Sequence, residues 1–186
     1  MRTFVLAVAL AALSAGGARA AVTVFGSDSA TQCSKAAIDG KSDAASENYC
    51  TRALNEDTLM GDDRAGTFVN RGVMKLRRGQ FEASHADFDA ALALAPKMAE
   101  AWVNRGAMWV GERQYQSGLD DLNRALELGV KEPEKAYYDR ALAYEGLDNE
   151  KAAYFDYQKA LELKPNWVLP QHELLRFHVS RPTLPG

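Results

Sequence analysis

The chain has 186 residues, of which 22 are Lys or Arg and 25 are Asp or Glu, for a formal net charge of −3. A mildly acidic chain without a basic stripe is a poor match for nucleic acid or for an anionic lipid surface, so neither is expected as a partner. The length suits one domain with a sizeable core or a short repeat array.

Residues 1–20 have the pattern of a secretory signal peptide: a charged start at Arg2, an apolar run over 4–13, and Ala18-Arg19-Ala20 at the end. A membrane anchor is the alternative, but the run is about ten residues long and a spanning helix needs roughly 20. We therefore expect cleavage after Ala20, export to a bacterial periplasm, and no stable membrane insertion of the remaining chain.

Residues 21–63 predict an N-terminal arm followed by a helical hairpin. The arm, 21–25, is short and apolar, and is either extended or disordered. Apolar residues then recur at helical spacing on both sides of the turn signal at 39–41. Cys33 and Cys50 flank this turn, and an even cysteine count in an exported chain favours a disulfide that staples the two helices. A metal site or a redox pair is the alternative, but the spacing is not C-x-x-C and no His lies nearby.

A longer pattern then occurs three times. The stretch 68–72, Phe-Val-Asn-Arg-Gly, has a counterpart 34 residues later, Trp-Val-Asn-Arg-Gly at 102–106, and another 35 residues after that, Tyr-Tyr-Asp-Arg-Ala at 137–141. Each copy has two stretches of helical periodicity separated by a short break, and Gly or Pro ends the second stretch. Self-similarity at this period predicts stacked helix-turn-helix units. Together they span 64–167, and the three units are 65–98, 99–133 and 134–167.

The last part, 168–186, is predicted to close the stack. A short helix is expected over 171–179, with Leu174, Leu175 and Phe177 on one side to cover the third unit. The remaining tail has no periodic signal.

These units resemble the tetratricopeptide repeat (TPR) family, whose pattern places aromatic, Gly, small and Pro residues at fixed positions of a 34-residue hairpin. The resemblance implies an all-α TPR helix-turn-helix solenoid of three full repeats, with the leading hairpin as a degenerate repeat and a C-terminal cap helix. Lys75 stands where an aromatic is expected, and Val130 where a Pro is expected. In the second unit the matching residues are Trp102, Gly106, Trp109, Tyr115, Gly118, Leu122 and Ala125.

Another departure is an Arg where the family has a Leu before the Gly. In each unit this Arg lies 16 residues before an Asp, with the hairpin turn about midway, so the two side chains should face each other. We hypothesise that these pairs bridge the two helices and set the register of each hairpin. Solvated charges, or an Arg that reaches the neighbouring repeat, are the alternatives. The pairs are Arg71 with Asp87, Arg105 with Asp121, and Arg140 with Asp156.

The resemblance also implies that the first helix of each unit lines a concave groove that holds a peptide. Asn70 and Asn104 are notable there, because a side-chain amide both donates to and accepts from a peptide backbone; alternatively, Asn is simply common at this place. A clamp for a terminal carboxylate is disfavoured, since Asp139 would repel it. The implied groove positions are Val69, Asn70, Val73, Arg77, Val103, Asn104, Ala107, Lys135, Tyr138, Asp139 and Leu142.

Nothing in the sequence indicates catalysis, a metal site or a cofactor. His172 and His178 are six residues apart, which is not the i, i+4 spacing of a helical metal pair, and nucleotide-binding and hydrolase motifs are not found. We predict a non-catalytic protein–protein interaction module that binds a peptide or protein segment in the groove, as a periplasmic adaptor or assembly factor. The alternative is a structural envelope component that self-associates and has no peptide ligand. Occupation of the groove by the chain's own arm at 22–25 is a further alternative.

Overall fold

The computed structural model describes residues 20–56 and 58–177, and throughout this part the regular structure is helical. The predicted signal peptide up to residue 19 and the tail from residue 178 lie outside the described residues. The helices are α1 Asp28–Ile38, α2 Ala44–Glu56, α3 Gly61–Arg77, α4 Phe81–Leu94, α5 Ala99–Gly111, α6 Tyr115–Leu128, α7 Pro133–Gly146, α8 Glu150–Leu163 and α9 Val168–Leu174.

The helices pair in chain order as four hairpins, and α9 packs against the last of them. This confirms the predicted fold class: an all-α TPR-type array with a leading hairpin (α1/α2), three repeats (α3/α4, α5/α6, α7/α8) and a cap helix. The chain divides into two compact units between Pro96 and Lys97. Unit 1 contains α1 to α4 and unit 2 contains α5 to α9. No described helix combines the length and the apolar character that crossing a membrane requires.

The leading hairpin of unit 1 is joined by a disulfide between Cys33 on α1 and Cys50 on α2, whose Cα atoms are 4.7 Å apart. Both cysteines are fully buried and pack with Met74 of α3, which links this hairpin to the first repeat. At the start of α1, the Ser27 hydroxyl accepts a hydrogen bond from the Ala30 N–H at 3.3 Å. The hairpin therefore has a covalent staple and a capped first helix.

The first repeat begins earlier than its predicted start at Ala65. Helix α3 begins at Gly61, and α2 continues to Glu56. Asp62 and Asp63 lie in the first turn of α3, where negative charge is favourable beside the helix dipole. These two acidic residues thus supply the charge that favours a helix start.

The cap of unit 2 also differs from the prediction. Helix α9 spans Val168–Leu174, so it starts before the predicted position 171 and does not extend over 175–177; the last predicted positions, 178 and 179, lie outside the described residues. Pro170 is compatible with this early start, because the first turn of a helix leaves its backbone N–H groups without intrahelical partners. Leu174 and Phe177 pack on the third repeat as predicted, but Leu175 is 81% exposed and does not share their side.

Candidate functional site

The residues before α1, 20–25, form a leading segment that lies against α1 and α3 of unit 1. Asn70 of α3 holds its main chain at one residue: the Asn70 Oδ1 accepts from the Val22 N–H at 2.8 Å, and the Asn70 Nδ2 donates to the Val22 carbonyl at 2.8 Å. Asn70 is fully buried. One side chain therefore satisfies both the donor and the acceptor of a single peptide residue.

Two further side chains hold the same main chain. The Ser34 hydroxyl on α1 donates to the Val22 carbonyl at 2.9 Å and accepts from the Val24 N–H at 3.3 Å. The Asp63 Oδ1, in the first turn of α3, accepts from the Phe25 N–H at 3.1 Å. Three side chains on two helices thus contact three residues of the segment through main-chain atoms. We refer to Ser34, Asp63, Gly66 and Asn70 together as the α1/α3 site.

Gly66 gives the segment its close approach to α3. A Cβ added to Gly66 would lie 2.8 Å from Val22 Cγ1 and 3.0 Å from Val24 Cγ2, well inside normal contact distance. Val24 is 3% exposed, whereas the intervening Thr23 and the following Phe25 are exposed. The site therefore buries Val24, half-buries Val22, and leaves Thr23 and Phe25 in solvent.

Of the predicted groove residues in unit 1, the structure places Asn70 in the α1/α3 site. Val69 and Val73 are fully buried. Arg77 has another contact, because its Nη1 donates at 2.9 Å to the carbonyl of Ala37, near the end of α1. Arg77 thus satisfies a helix-terminal carbonyl and is a capping residue here. Sequence reasoning missed Ser34, Asp63 and Gly66.

In unit 2 the predicted groove residues divide by burial. Ala107, Lys135 and Leu142 keep partial exposure, and the Lys135 ammonium pairs with Glu132 at 2.7 Å. The remaining four, Val103, Asn104, Tyr138 and Asp139, are buried. Among them, Asn104 donates from Nδ2 to the Glu100 carbonyl of its own helix at 2.7 Å.

Tyr138 belongs to an aromatic cluster rather than to an open surface. Its ring centroid lies 5.6 Å from that of Tyr157 and 5.0 Å from that of Trp167. Burial, reinforced by the charge of Glu173, raises the pKa of Tyr138 well above the usual range. A partner could reach this side chain only by disturbing the packing of the third repeat against its cap, so the predicted groove role of Tyr138 does not fit its position.

All three Arg–Asp pairs form as two parallel hydrogen bonds. The Nε and Nη2 of each arginine donate to the two carboxylate oxygens of the aspartate at 2.7–2.9 Å. The aspartate side chains are 4–9% exposed and those of the arginines 17–19%. Each guanidinium also stacks on the aromatic residue three positions earlier; Arg105 lies 4.9 Å from the Trp102 ring centroid.

Two of these arginines also contact the preceding hairpin. Arg71 Nη1 donates to the Thr51 hydroxyl on α2 at 3.4 Å, and Arg140 Nη1 donates to Asn123 Oδ1 on α6 at 2.7 Å. The bridge within a repeat and the contact to its neighbour therefore occur together. The planar guanidinium, with five donors, makes both contacts possible for one side chain.

Near the cap of unit 2, Glu145 connects three elements. It accepts from the Tyr157 hydroxyl on α8 at 2.9 Å and from Arg176 Nη2, just after α9, at 2.9 Å. Burial first, and then the nearby Glu145 charge, raise the pKa of Tyr157 far above its usual range. Within residues 20–56 and 58–177, no group of His, Cys, Asp and Glu side chains is arranged to hold a metal ion.

Comparisons with known proteins agree with this geometry. Residues 134–166, the third repeat, match the family model described as Tetratricopeptide repeat. Among curated proteins no relative matches the chain. The first TPR domain of human RPAP3 is similar in structure, with a TM-score of 0.59 and 23% identity over 62% of this chain and 91% of that domain.

Two other solved structures cover more of the chain. MamA from Desulfovibrio magneticus RS-1 has a TM-score of 0.63 and 21% identity, over 81% of this chain and 84% of its own. YrrB, described as a TPR protein with an unusual peptide-binding site, has a TM-score of 0.60 and 16% identity, over 78% and 75%. At these identities the likeness shows the fold, which is the TPR helix-turn-helix repeat.

Proposed function

We propose that this protein is a non-catalytic protein–protein interaction module that binds peptide or protein segments on the first helices of its repeats. The observation that carries the proposal is the pair of hydrogen bonds between Asn70 and Val22. In unit 1 the first-helix face already holds a peptide by its main chain, so this surface has the donors, acceptors and space that such a ligand requires.

Similar structures support the same function. The first TPR of RPAP3 has been solved bound to an HSP90 peptide, and YrrB is described by its peptide-binding site. In unit 2, Ala107 on α5 and Leu142 on α7 stay partly exposed, and both occupy the repeat position of Val73, about one helical turn after Asn70. We therefore assign ligand binding in unit 2 to these first helices.

We further propose that the protein acts in a bacterial periplasm, as an adaptor or assembly factor. The signal-like start of the sequence supports export. The Cys33–Cys50 bond supports the same compartment, since disulfides persist in oxidising environments and are rare in the cytosol.

Site-specific photo-cross-linking in the producing cells tests this function. A photoreactive residue is placed at Ala107 or at Leu142, both on first helices, and in a matched control at Glu127, which is exposed on the second helix α6. We expect a defined protein to be captured from the two first-helix positions and to be absent from the control. Equal capture from all three positions would place binding elsewhere and overturn the proposal.

The alternative is a self-associating structural component, in which the α1/α3 site holds only the chain's own segment. The same experiment separates the two functions. If the cross-linked products from Ala107 and Leu142 contain only two copies of this chain, the structural role replaces the adaptor role.

A further inference from the structure

We infer that the α1/α3 site selects segments that carry β-branched residues at two positions separated by one residue, and that its partner is another protein with such a segment. The chain's own Val22-Thr23-Val24 has this pattern and occupies the site as an internal competitor. The inference rests on the proposed function and specifies its ligand and its regulation in unit 1.

The preference for β-branched residues follows from the two kinds of contact in the site, which are hydrogen bonds to the main chain and packing against the side chains. Asn70 and Ser34 contact only main-chain atoms of the segment, so they accept almost any residue. Selection therefore depends on the space around the side chains. Gly66 supplies this space: a Cβ at residue 66 would lie 2.8 Å from a methyl group of Val22 and 3.0 Å from one of Val24, and β-branched side chains place their methyl groups close to the backbone.

The site also has an apolar floor that suits such a segment. Val24 packs with Ala30, Ala53 and Leu59, and Val22 packs against the same cluster. A charged side chain at the buried position of Val24 would lose its hydration without gaining a partner, and one at the half-buried position of Val22 would lose part of it. Thr23, the residue between the two valines, is exposed to solvent, so the site does not select the residue type at this position.

The internal segment makes the site regulated. Only Gly26 and Ser27 separate it from the first residue of α1, so its local concentration at the site is on the order of millimolar. A partner segment must compete against that concentration. Conversely, any event that draws the leading segment away, including its capture by another protein, opens the site.

The test uses the chain from Ala21 onward and the blocked peptide Ala-Val-Thr-Val-Phe with a fluorescent label. In the double variant Val22→Ser, Val24→Ser, the internal competitor is weakened while the chain length is kept. We expect this variant to bind the peptide at least about tenfold more tightly than the natural chain does. Equal binding by the two chains would contradict the role of the segment.

A change of preference tests the selection by Gly66. On the double-variant background, Gly66→Ala should weaken binding of Ala-Val-Thr-Val-Phe by about tenfold, as overpacking by one methyl group does. The peptide Ala-Ala-Thr-Ala-Phe should then bind Gly66→Ala better than it binds the Gly66 form. If the order of the two peptides is the same with either residue, Gly66 does not select the ligand and the inference fails.

A measurement on the natural chain tests the inference even if these variants do not fold. Unlabelled peptide at millimolar concentration should accelerate amide hydrogen exchange at Val22 and Val24, because it displaces the internal segment. Unchanged exchange at saturating peptide would overturn the inference. A dimer of the natural chain that disappears in Gly66→Ala would also overturn it, since the occupant would then be a second copy.

Cross-linking from Ala107 and Leu142 does not depend on these results. If the peptide experiments contradict the inference, the proposed function is still decided by the cross-linking experiment.

Discussion

Arg140 and Asp156 face each other across the α7/α8 hairpin, with Nε to Oδ2 at 2.7 Å and Nη2 to Oδ1 at 2.8 Å. The carboxylate is nearly buried, so its charge depends on the guanidinium for compensation. The same relationship occurs in the other two repeats. A buried pair of this kind is weak evidence for net stability, but removing one partner leaves a charge uncompensated.

We therefore expect Asp156→Ala to lower the free energy of unfolding by about 3 kcal/mol, and Arg140→Ala to have a similar effect. The double variant should lose much less than the sum, because neither charge then remains unpaired. Denaturant unfolding of the four proteins in a double-mutant cycle measures the coupling. The exposed pair Arg124 and Glu127 is the control, for which a coupling of about 0–1 kcal/mol is expected. Equal coupling for both pairs would remove the special role of the repeated pair.

Asn70→Ala should release the leading segment. It removes both bonds to Val22 and leaves the partly buried Val22 N–H without its partner, which costs about 1 kcal/mol, the low end of the range for a buried group. Hydrogen exchange at Val22 and Val24 should accelerate while the helices of unit 2 are unaffected. Asn104→Ala is the matched control, since Asn104 occupies the same repeat position but contacts Glu100, and it should leave exchange in the segment unchanged. Equal acceleration in both variants would show that the effect is not local to the site.

Loss of the disulfide should destabilise the α1/α3 site, because α1 carries both Cys33 and Ser34. Cys33→Ala with Cys50→Ala removes a cross-link between residues 17 apart, which is worth about 3 kcal/mol in the chain-entropy model. Because Ser34 follows Cys33 directly, protection of the Val24 amide should fall as well. Unfolding of the natural chain with and without reductant, compared with the double variant, measures the effect. Reductant should have no effect on the double variant; if it does, its action on the natural chain is not through the disulfide.

The two buried tyrosines predict a loss of stability at high pH. Burial raises the pKa of Tyr138 and Tyr157 in the folded chain above the usual value of about 10. The unfolded chain therefore releases these protons first, so their contribution is complete below pH 10 and falls as the pH rises above it. Tyr157→Phe should weaken this decline between pH 10 and 12, as followed by thermal unfolding. Tyr49→Phe is the control, because Tyr49 is 39% exposed, and it should leave the slope unchanged.

The sequence was informative wherever the structure repeats. The 34-residue period fixed the hairpins, and the 16-residue spacing from Arg to Asp indicated side chains that the structure brings together. Both signals concern residues of one hairpin, where the number of residues from the turn determines which side chains of the two helices face each other. The register of the repeats also located Asn70, which contacts the segment.

The rest of the α1/α3 site has no such signal. Asn70 and Val22 are 48 residues apart, and the leading segment has no counterpart in the other repeats. Ser34 and Gly66 are small residues inside helices, a pattern that equally indicates close helix packing. Tyr138 shows the converse: its repeat position indicated an open groove, but the cap of unit 2 covers it with Trp167.

Arg71 and Arg140 each contact both an aspartate of their own repeat and the second helix of the preceding hairpin. When such a hairpin separates from the preceding one, its arginine loses a hydrogen-bond partner. The other nitrogens of the same guanidinium hold a buried carboxylate within the hairpin. Opening a single hairpin is therefore penalised at two interfaces at once. Within each unit, neighbouring hairpins should melt as one cooperative block, although arrays of this type are built from elements that contact only their nearest neighbours.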